Sequence, residues 1–248
     1  MARDQVYGRN PVLELLRSEG RGVEELAILA EGRGPKLQEL LALARGKGVR
    51  VSFRTRDQLT AMAGSPDHQG VVARVAEARY LALEDLLSVP ASRGEAAFFL
   101  ALDRVQDPRN LGALLRVTEG AGAHGVILPK HQAAGLTAAT AKSAMGALEF
   151  VGVARETNLV SALERLKKQG IWLMGGVPFG GTQPWDVDLT VPLCLVLGGE
   201  GSGLRPLVAK TCDLLVSVPM AGKVGSLNVA AAAAVLCYEV VRQRRKSS

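Results

Sequence analysis

The stretch VPMAGKVGSLNVA, from Val218 to Ala230, joins a strand end, a glycine-bearing loop and the polar start of a helix. The apolar run LLVSV stops at Pro219, because the proline ring removes a backbone donor and interrupts sheet pairing. Gly222 and Gly225 then permit close backbone approaches that a side chain would block. A strand, a tight loop and a helix start in so few residues predict a ligand pocket.

A helix is predicted to follow over Leu227–Tyr238, with Ser226 as its cap. The Ser226 hydroxyl can accept from the free N–H groups of the first turn, and the run AAAAA favours a helix strongly. Asn228 falls in that first turn. Its amide is either a satisfied structural group or a group that reaches into the pocket, and both interpretations stay open.

A second segment, LGGEGSGL at Leu197–Leu204, follows the apolar run PLCLV and carries four glycines around Glu200. Such a loop lies at the carboxyl end of a strand, where open α/β sheets bind their ligands. Leu204 stands where a dinucleotide fingerprint requires a third glycine, and no lysine follows Gly203 as in a phosphate loop. A dinucleotide or a nucleoside triphosphate is therefore not the expected ligand.

A third segment, DPRNLGALLR at Asp107–Arg116, follows the run FFLALD and crowds polar groups at a predicted helix start. Asn110 and Arg116 are six residues apart, so they do not stack at one-turn spacing. Taken singly, Asn110 is interpreted as a helix cap and Arg116 as a surface cation.

Apolar runs alternate with helical patterns after residue 97, which is typical of an α/β fold with a parallel sheet covered on both faces. Its predicted strands are Phe98–Leu102, Val126–Leu128, Phe150–Ala154, Ile171–Met174, Leu193–Leu197 and Leu214–Val218. A smaller α/β unit precedes it. Its predicted elements are a helix from about Pro11 with Asn10 as cap, a helix over Pro35–Arg45, and strands at Leu26–Leu29, Val49–Phe53 and Gly70–Val75.

Between these parts, ARYLALEDLLSVPASRGE mixes polar residues with Pro90 and Gly94, which indicates a linker containing a short helical turn. We therefore predict a first domain over residues 1–78, a linker over 79–96 and a second domain over 97–248. The three motifs lie after residue 97, so we expect the second domain to carry the site and to fold alone.

Together, the three segments resemble the SpoU (TrmH) family of RNA ribose 2'-O-methyltransferases. The matching positions are Asn110 and Arg116 in the first motif, Gly198, Glu200, Gly201 and Gly203 in the second, and Pro219, Met220, Ser226, Leu227 and Asn228 in the third. The resemblance implies S-adenosylmethionine as cofactor, bound in a pocket formed by a deep trefoil knot. It also implies a homodimer with its sites near the subunit interface.

The resemblance further assigns roles to these residues. The implied cofactor contacts are Gly198, Gly201, Val218, Met220 and Leu227, and the implied catalytic residues are Asn110, Arg116, Glu200, Ser226 and Asn228. The family's arginine is proposed as general base, but a guanidinium with a pKa above about 12 is a poor proton acceptor. We expect Arg116 to bind the adjacent phosphate instead, Asn110 to orient Arg116 or the ribose, and Glu200 to fix its loop.

The first domain also carries a resemblance, in VYGRNPVLELL at Val6–Leu16 and DHQGVVARV at Asp67–Val75. Both segments are similar to the RNA-substrate-binding domain of the family branch that methylates a guanosine in 23S ribosomal RNA. This implies the same activity here. The alternatives are methylation of a transfer RNA guanosine or a ribosomal adenosine, and a catalytically inert RNA-binding assembly factor. His68 and Gln69 are interpreted as a turn leading into a strand, with RNA contact as the alternative.

Composition agrees with a globular RNA-binding protein. The 248 residues carry a net charge of +6 and a pI near 9.5, which weakly favours a polyanionic partner.

No apolar run approaches the roughly 20 residues of a membrane span, so we expect a cytoplasmic protein without membrane association. Cys194, Cys212 and Cys237 are interpreted as core residues rather than disulfides or a metal site. The basic tail, Arg242, Arg244, Arg245 and Lys246, is interpreted as a solvated end.

Overall fold

The computed structural model describes residues 4–18, 22–75, 79–201 and 203–247. Contacts between Cα atoms divide the chain into two compact units, each built from two stretches of sequence. The N-terminal unit comprises residues 1–79 and 135–150, and the C-terminal unit comprises residues 80–134 and 151–248. Nothing in the sequence pattern predicts that residues 135–150 belong with the N-terminal unit.

The described residues form ten strands and nine α-helices in an alternating order. They are β1 (Asp4–Tyr7), α1 (Arg9–Arg17), β2 (Val23–Leu29), α2 (Pro35–Gly46), β3 (Arg50–Arg54), α3 (Arg56–Ala63), β4 (Val71–Val75), α4 (Leu83–Arg93), β5 (Phe98–Asp103), α5 (Pro108–Gly120), β6 (Gly125–Pro129), α6 (Ala138–Ala144), β7 (Gly152–Glu156), α7 (Leu159–Lys168), β8 (Trp172–Gly176), β9 (Leu193–Gly198), α8 (Pro206–Thr211), β10 (Leu214–Val216) and α9 (Val229–Ser247). Short 3₁₀ turns lie at Ala147–Glu149 and Pro184–Asp186.

The N-terminal unit is a four-stranded sheet in the order β1-β4-β2-β3. Strands β2 and β3 pair in parallel, whereas β4 is antiparallel to both β1 and β2. The predicted helices and strands of this unit are confirmed, but β1, α3 and α6 were not predicted. Helix α3 begins with a capping box between Thr55 and Gln58, a signal that was present in the sequence. Helix α1 begins behind Gly8 rather than the predicted cap Asn10, whose side chain instead accepts from Lys36 Nζ at 2.8 Å.

The second stretch of the N-terminal unit, residues 135–150, packs on its first. Lys142 of α6 pairs with Asp67 at 3.1 Å, and its ammonium lies 5.0 Å from the centre of the Tyr7 ring. Gly146 approaches Glu14 of α1 so closely that a Cβ there would clash with it. The segment is therefore an integral layer of the unit.

The C-terminal unit contains a six-stranded parallel sheet in the order β10-β8-β9-β5-β6-β7. The predicted parallel α/β sheet is confirmed, and each of the six predicted strands is present. Because all strands are parallel, their carboxyl ends lie along one edge of the sheet. The trefoil knot stays a prediction.

The prediction of a linker with only a short helical turn before β5 was wrong, because a regular helix lies there. Helix α4 has 11 residues and buries Leu83 and Leu86 in the core of the C-terminal unit. Pro90 lies inside this helix rather than ending it, and Gly94 caps the carboxyl end in a left-handed conformation. The buried leucines offset the hydrogen bond that the proline removes.

Helix α9 closes the chain, and it extends through most of the basic tail. The guanidinium of Arg244 donates to the carbonyls of Ala96, Ala97 and Val191 at 2.8–2.9 Å. Arg242 pairs with Glu239 at 2.6 Å. The interpretation of Arg244 as part of a solvated end was therefore wrong. Among the described residues, no helix combines the length and apolar character needed to span a bilayer.

Candidate active site

Asp103, the last residue of β5, holds both ends of the glycine-rich loop that follows β9. Its side chain is fully buried, and its carboxylate accepts from Arg205 N at 2.9 Å and Arg205 Nε at 2.8 Å. Its backbone carbonyl accepts from Gly199 N at 2.7 Å. Burying a carboxylate costs free energy unless it is paired and hydrogen-bonded, as this one is. We call this arrangement the Asp103 clamp.

The loop inside the clamp depends on two of its glycines. Gly201 has a φ of +78°, a backbone conformation that residues other than glycine rarely adopt. A Cβ on Gly199 would collide with the backbone of Arg104, so the loop lies directly on the end of β5. The clamp and the glycines together fix the backbone on either side of Glu200.

Three side chains from distant segments meet beside this loop. Glu200 Oε1 accepts from Asn110 Nδ2 at 2.5 Å and from Asn228 Nδ2 at 2.9 Å. Asn228 Nδ2 also donates to Asn110 Oδ1 at 3.2 Å. We call Asn110, Glu200 and Asn228 the amide–carboxylate cluster. The three predicted motifs therefore meet through one residue each.

Asn228 fills both of the roles that the sequence left open. Its Oδ1 accepts from Ala230 N at 2.9 Å and so caps helix α9, which begins at Val229. The predicted start at Leu227 with Ser226 as cap was wrong. The helix begins two residues later, and it is Asn228 Oδ1 that accepts from an N–H group of its first turn. Since Oδ1 is engaged by the backbone, only the amide nitrogen can face Glu200.

Asn110 is not the cap of its helix. Helix α5 is capped by Asp107, whose carboxylate accepts from Arg109 N at 2.8 Å. Asn110 is the third residue of the helix, in its first turn, and its amide donates to Glu200. The interpretation of Asn110 as a helix cap was wrong, because the preceding aspartate takes that position.

Arg109 adds a positive charge near the cluster. Its guanidinium pairs with Asp107 at 3.1 Å, and this hydrogen-bonded pairing raises the pKa of Arg109 and lowers that of Asp107. The negative charge of Glu200 also raises the pKa of Arg109. Most of the Arg109 side chain is exposed, so a cation faces solvent beside the cluster.

A cavity of about 580 Å³ opens between the glycine-rich loop, the end of β8 and the start of α9. Glu200, Ser226 and Asn228 line it. The predicted cofactor contacts also line it: Gly198, Gly201, Val218, Met220 and Leu227. Its remaining wall is largely apolar, with Leu197, Val216 and Leu236 among its members.

Arg116 lies apart from the cavity. It is exposed on α5, about 9 Å along the helix axis from Asn110 at 1.5 Å per residue. Its side chain makes no hydrogen bond or ion pair with the described part of the chain. The structure thus brings together Asn110, Glu200 and Asn228, places Ser226 at the cavity, and leaves Arg116 outside it.

One wall of the cavity was missed by the sequence analysis. Val177, Pro178 and Phe179 follow β8 and line the cavity, and Phe179 is 80% exposed. The sequence GGVPFGG after a predicted strand was the available signal, because a glycine-bearing loop at the carboxyl end of a parallel strand lies at the ligand-binding edge.

Comparison with family models matches both parts of the chain. Residues 97–238 match the SpoU rRNA Methylase family. Residues 5–81 match the family described as RNA 2'-O ribose methyltransferase substrate binding. The first match spans the glycine-rich loop, the cavity and the whole amide–carboxylate cluster.

Similar proteins cover nearly the full chain. YacO of Bacillus subtilis, named for the TrmH family of tRNA/rRNA methyltransferases, is 42% identical over 97% of this chain and 96% of its own length. The 23S rRNA (guanosine-2'-O-)-methyltransferase RlmB of Ralstonia nicotianae is 42% identical over 96% of this chain and 95% of its own. The structure of the SpoU methyltransferase AviRb from Streptomyces viridochromogenes with AdoMet has a TM-score of 0.82 and 27% identity, covering 98% of this chain and 91% of AviRb.

Proposed function

The chain belongs to the SpoU rRNA Methylase family of RNA 2'-O-ribose methyltransferases, and from that premise we propose that it methylates a guanosine ribose in 23S ribosomal RNA. The amide–carboxylate cluster, of which Glu200 and Asn228 line the cavity, carries this proposal. It joins Asn110, Glu200 and Asn228 at the ligand-binding edge of the sheet. The presence of two of these side chains in the wall of a ligand-sized cavity favours an enzyme over the inert assembly factor.

S-adenosylmethionine is the expected cofactor, and the cavity fits it. A volume of about 580 Å³ lies within the usual 300–1,000 Å³ of ligand pockets. Val218, Met220 and Leu227 offer apolar surface to an adenine ring, while Gly198 and Gly201 leave backbone groups accessible for hydrogen bonds. When bound, the cofactor supplies a methyl group on a sulfonium, whose departing thioether is neutral.

We propose that the cluster positions the ribose. Methyl transfer needs the 2'-hydroxyl held in line and its proton removed, and positioning supplies much of the rate. Glu200 accepts from both amides, so Asn110 and Asn228 form one connected polar group with a carboxylate that lines the cavity. Ser226 adds a hydroxyl on the same wall.

We assign phosphate binding to Arg116. A guanidinium holds its proton at neutral pH but binds phosphate oxygens bidentately. Arg116 is exposed and lies outside the cavity, which suits contact with the RNA backbone beside the target nucleotide. The hydroxyl proton would then pass to a phosphate oxygen or to water.

We also propose a homodimer. Val235 and Tyr238, three residues apart on α9, are 41% and 54% exposed, and the exposed Ala231 lies four residues before Val235. This spacing places them on one face of the helix. An apolar face of this kind fits a second copy of the chain, and α5, which carries Arg116, packs against the same helix.

The test is direct transfer to RNA. Full-length protein with a labelled methyl donor is presented with 23S ribosomal RNA and bulk transfer RNA at matched salt, and the modified riboses are mapped by mass spectrometry. We expect one guanosine of 23S ribosomal RNA to be labelled. Labelling of transfer RNA or of an adenosine would select those alternatives, and no transfer to any RNA would leave the inert factor.

A further inference from the structure

The N-terminal unit contains a second concave site, a cavity of about 500 Å³ that we call the Arg9–Arg56 cavity. Arg9 begins helix α1 and Arg56 begins helix α3. Its other lining residues are Leu29, Pro66, Asp67, His68, Gln69 and Gly70. The cavity therefore lies beside the turn that leads into β4.

Hydrogen bonds within and around that turn hold it as one wall of the cavity. His68 is buried, its Nδ1 accepts from Gly70 N at 3.0 Å, and its Nε2 lies 3.2 Å from Thr60 Oγ1. Gln69 adopts a left-handed φ of 53°. The predicted structural role of His68 is confirmed by these contacts, and His68 is thereby removed from the candidates for direct ligand contact.

Arg9 is tied to the same turn. Gln69 Oε1 accepts from Arg9 N at 3.1 Å, and Gln69 O accepts from Arg9 Nε at 3.2 Å. The two terminal nitrogens of Arg9 make no hydrogen bond with the described residues. The guanidinium is thus held in place while its outer donors stay available, a preorganised arrangement that lowers the cost of binding.

The charge of the cavity is positive. Arg56 is exposed and makes no side-chain hydrogen bond or ion pair within the described chain. Burial, and to a lesser extent the positive charge of Arg56, lowers the pKa of His68 and so disfavours its charged form. Asp67, the acidic residue of the lining, is paired with Lys142 at 3.1 Å. Two arginines with available donors remain.

We propose that the Arg9–Arg56 cavity binds an unpaired nucleotide of the RNA substrate. The arginines would contact its phosphate, and the apolar surface of Leu29 and Pro66 would receive the base. Recognition of RNA by sequence uses unstacked bases in loops and bulges, which fit a pocket of this size, whereas a duplex does not enter it. The inference rests on the proposed function, because it assigns a subsite for the same RNA.

The experiment compares two arginines of β3 and its following turn. Arg56→Gln removes a charge at the cavity, and Arg50→Gln removes one at the opposite end of β3, where Arg50 is also exposed. Both variants and the wild type are titrated with a short labelled single-stranded RNA and with an RNA duplex over a range of salt. Thermal unfolding and S-adenosylmethionine binding are measured to show that each variant is folded.

We expect Arg56→Gln to weaken single-strand binding about tenfold and to reduce the salt slope by about 0.7, the value for one phosphate contact. Arg50→Gln should bind like the wild type. Equal loss in both variants, no loss in Arg56→Gln, or an equal loss for the duplex would overturn the assignment.

These outcomes are distinct from failure of the proposed function. A wild type that methylates ribosomal RNA while Arg56→Gln binds normally refutes only the cavity assignment. A wild type that transfers no methyl group to any RNA refutes the proposed activity itself.

Discussion

Asn110 and Glu200, which are 90 residues apart in the chain, are joined by a 2.5 Å hydrogen bond, and Glu200 lines the cavity of about 580 Å³. The bond fixes the first turn of α5 to the glycine-rich loop. Asn228 closes the cluster from a third segment and caps its own helix at the same time. The geometry of the site therefore depends on side chains that also hold secondary structure in place.

The two roles of Asn228 can be separated by Asn228→Asp. Aspartate caps a helix as well as asparagine, so the free energy of unfolding should change little through the cap. Its carboxylate would face Glu200 where an amide now donates, and repulsion should displace the cluster. We expect single-turnover methyl transfer to fall about 100-fold, the scale of a 1 Å misplacement.

Asn158→Asp is the matched control for that substitution. Asn158 caps α7 by accepting from Val160 N and Ser161 N and lies outside the cluster. Its variant should keep full methyl transfer. A normal rate in Asn228→Asp would remove the cluster from the reaction.

Arg116→Ala should keep its fold and its affinity for S-adenosylmethionine, because Arg116 is exposed and lies outside the cavity. Methyl transfer in a single turnover should fall by orders of magnitude. Arg116→Lys should restore little, since a lysine cannot bind phosphate bidentately. Arg93→Ala, at another exposed arginine, is the control, and wild-type rates in Arg116→Ala would identify Arg116 as a surface cation.

Gly201→Val should abolish S-adenosylmethionine binding in isothermal titration. The glycine has a φ of +78° and lines the cavity, so valine both strains the loop and projects new bulk beside the ligand. Gly170→Val supplies the control, because Gly170 has a φ of +77° but lies between α7 and β8, away from the cavity. Equal loss of affinity in the two variants would point to general destabilisation instead.

Stability should fall in mild acid because of His124. Burial lowers the pKa of His124, so below about 6.5, the ordinary histidine pKa, the unfolded chain binds a proton that the folded chain does not. The free energy of unfolding should therefore decrease as pH falls through that range. Urea titrations should show a smaller decrease for His124→Gln, whereas His131→Gln, at an exposed loop position, should behave like the wild type.

A piece spanning residues 97–248 should not fold well, contrary to the expectation drawn from the sequence. It lacks α4, whose Leu83 and Leu86 are fully buried in the C-terminal unit, and it separates α6 from the strand β1 that it packs on. Circular dichroism and thermal unfolding of that piece beside the full chain would test this. A cooperative transition with native helix content would restore the original expectation.

The sequence predicted the parallel sheet well because its strands are buried, continuous apolar runs, as Phe98–Asp103 illustrates. It also placed the glycine-rich loop and the polar helix starts at the correct edge. It could not identify the partner of Asn228, because a hydrogen bond across 28 residues depends on tertiary structure. The Asp103 clamp escaped notice for the same reason, since Asp103 and Arg205 are 102 residues apart.

Misassigned elements share a different cause. Pro90 and the polar residues around it suggested a linker, yet tertiary burial of leucines maintains a helix there. Short β1 offered only four residues of pattern, too few for a periodicity to be recognised. In α4, the burial of leucines outweighs the low helix propensity of Pro90. In β1, the strand is too short for the alternation of apolar and polar residues to be recognised.

Residues 135–150 give the chain an unusual constraint on modular exchange. The polypeptide passes between the two units after residues 79, 134 and 150, so neither unit is a single contiguous piece of sequence. A chimera that takes residues 1–79 from a relative must also take the segment carrying Lys142 and Gly146. Otherwise the new N-terminal residues would pack on an α6 from a different protein. We therefore expect a chimera to acquire the substrate preference of the relative only when residues 1–79 and 135–150 are exchanged together.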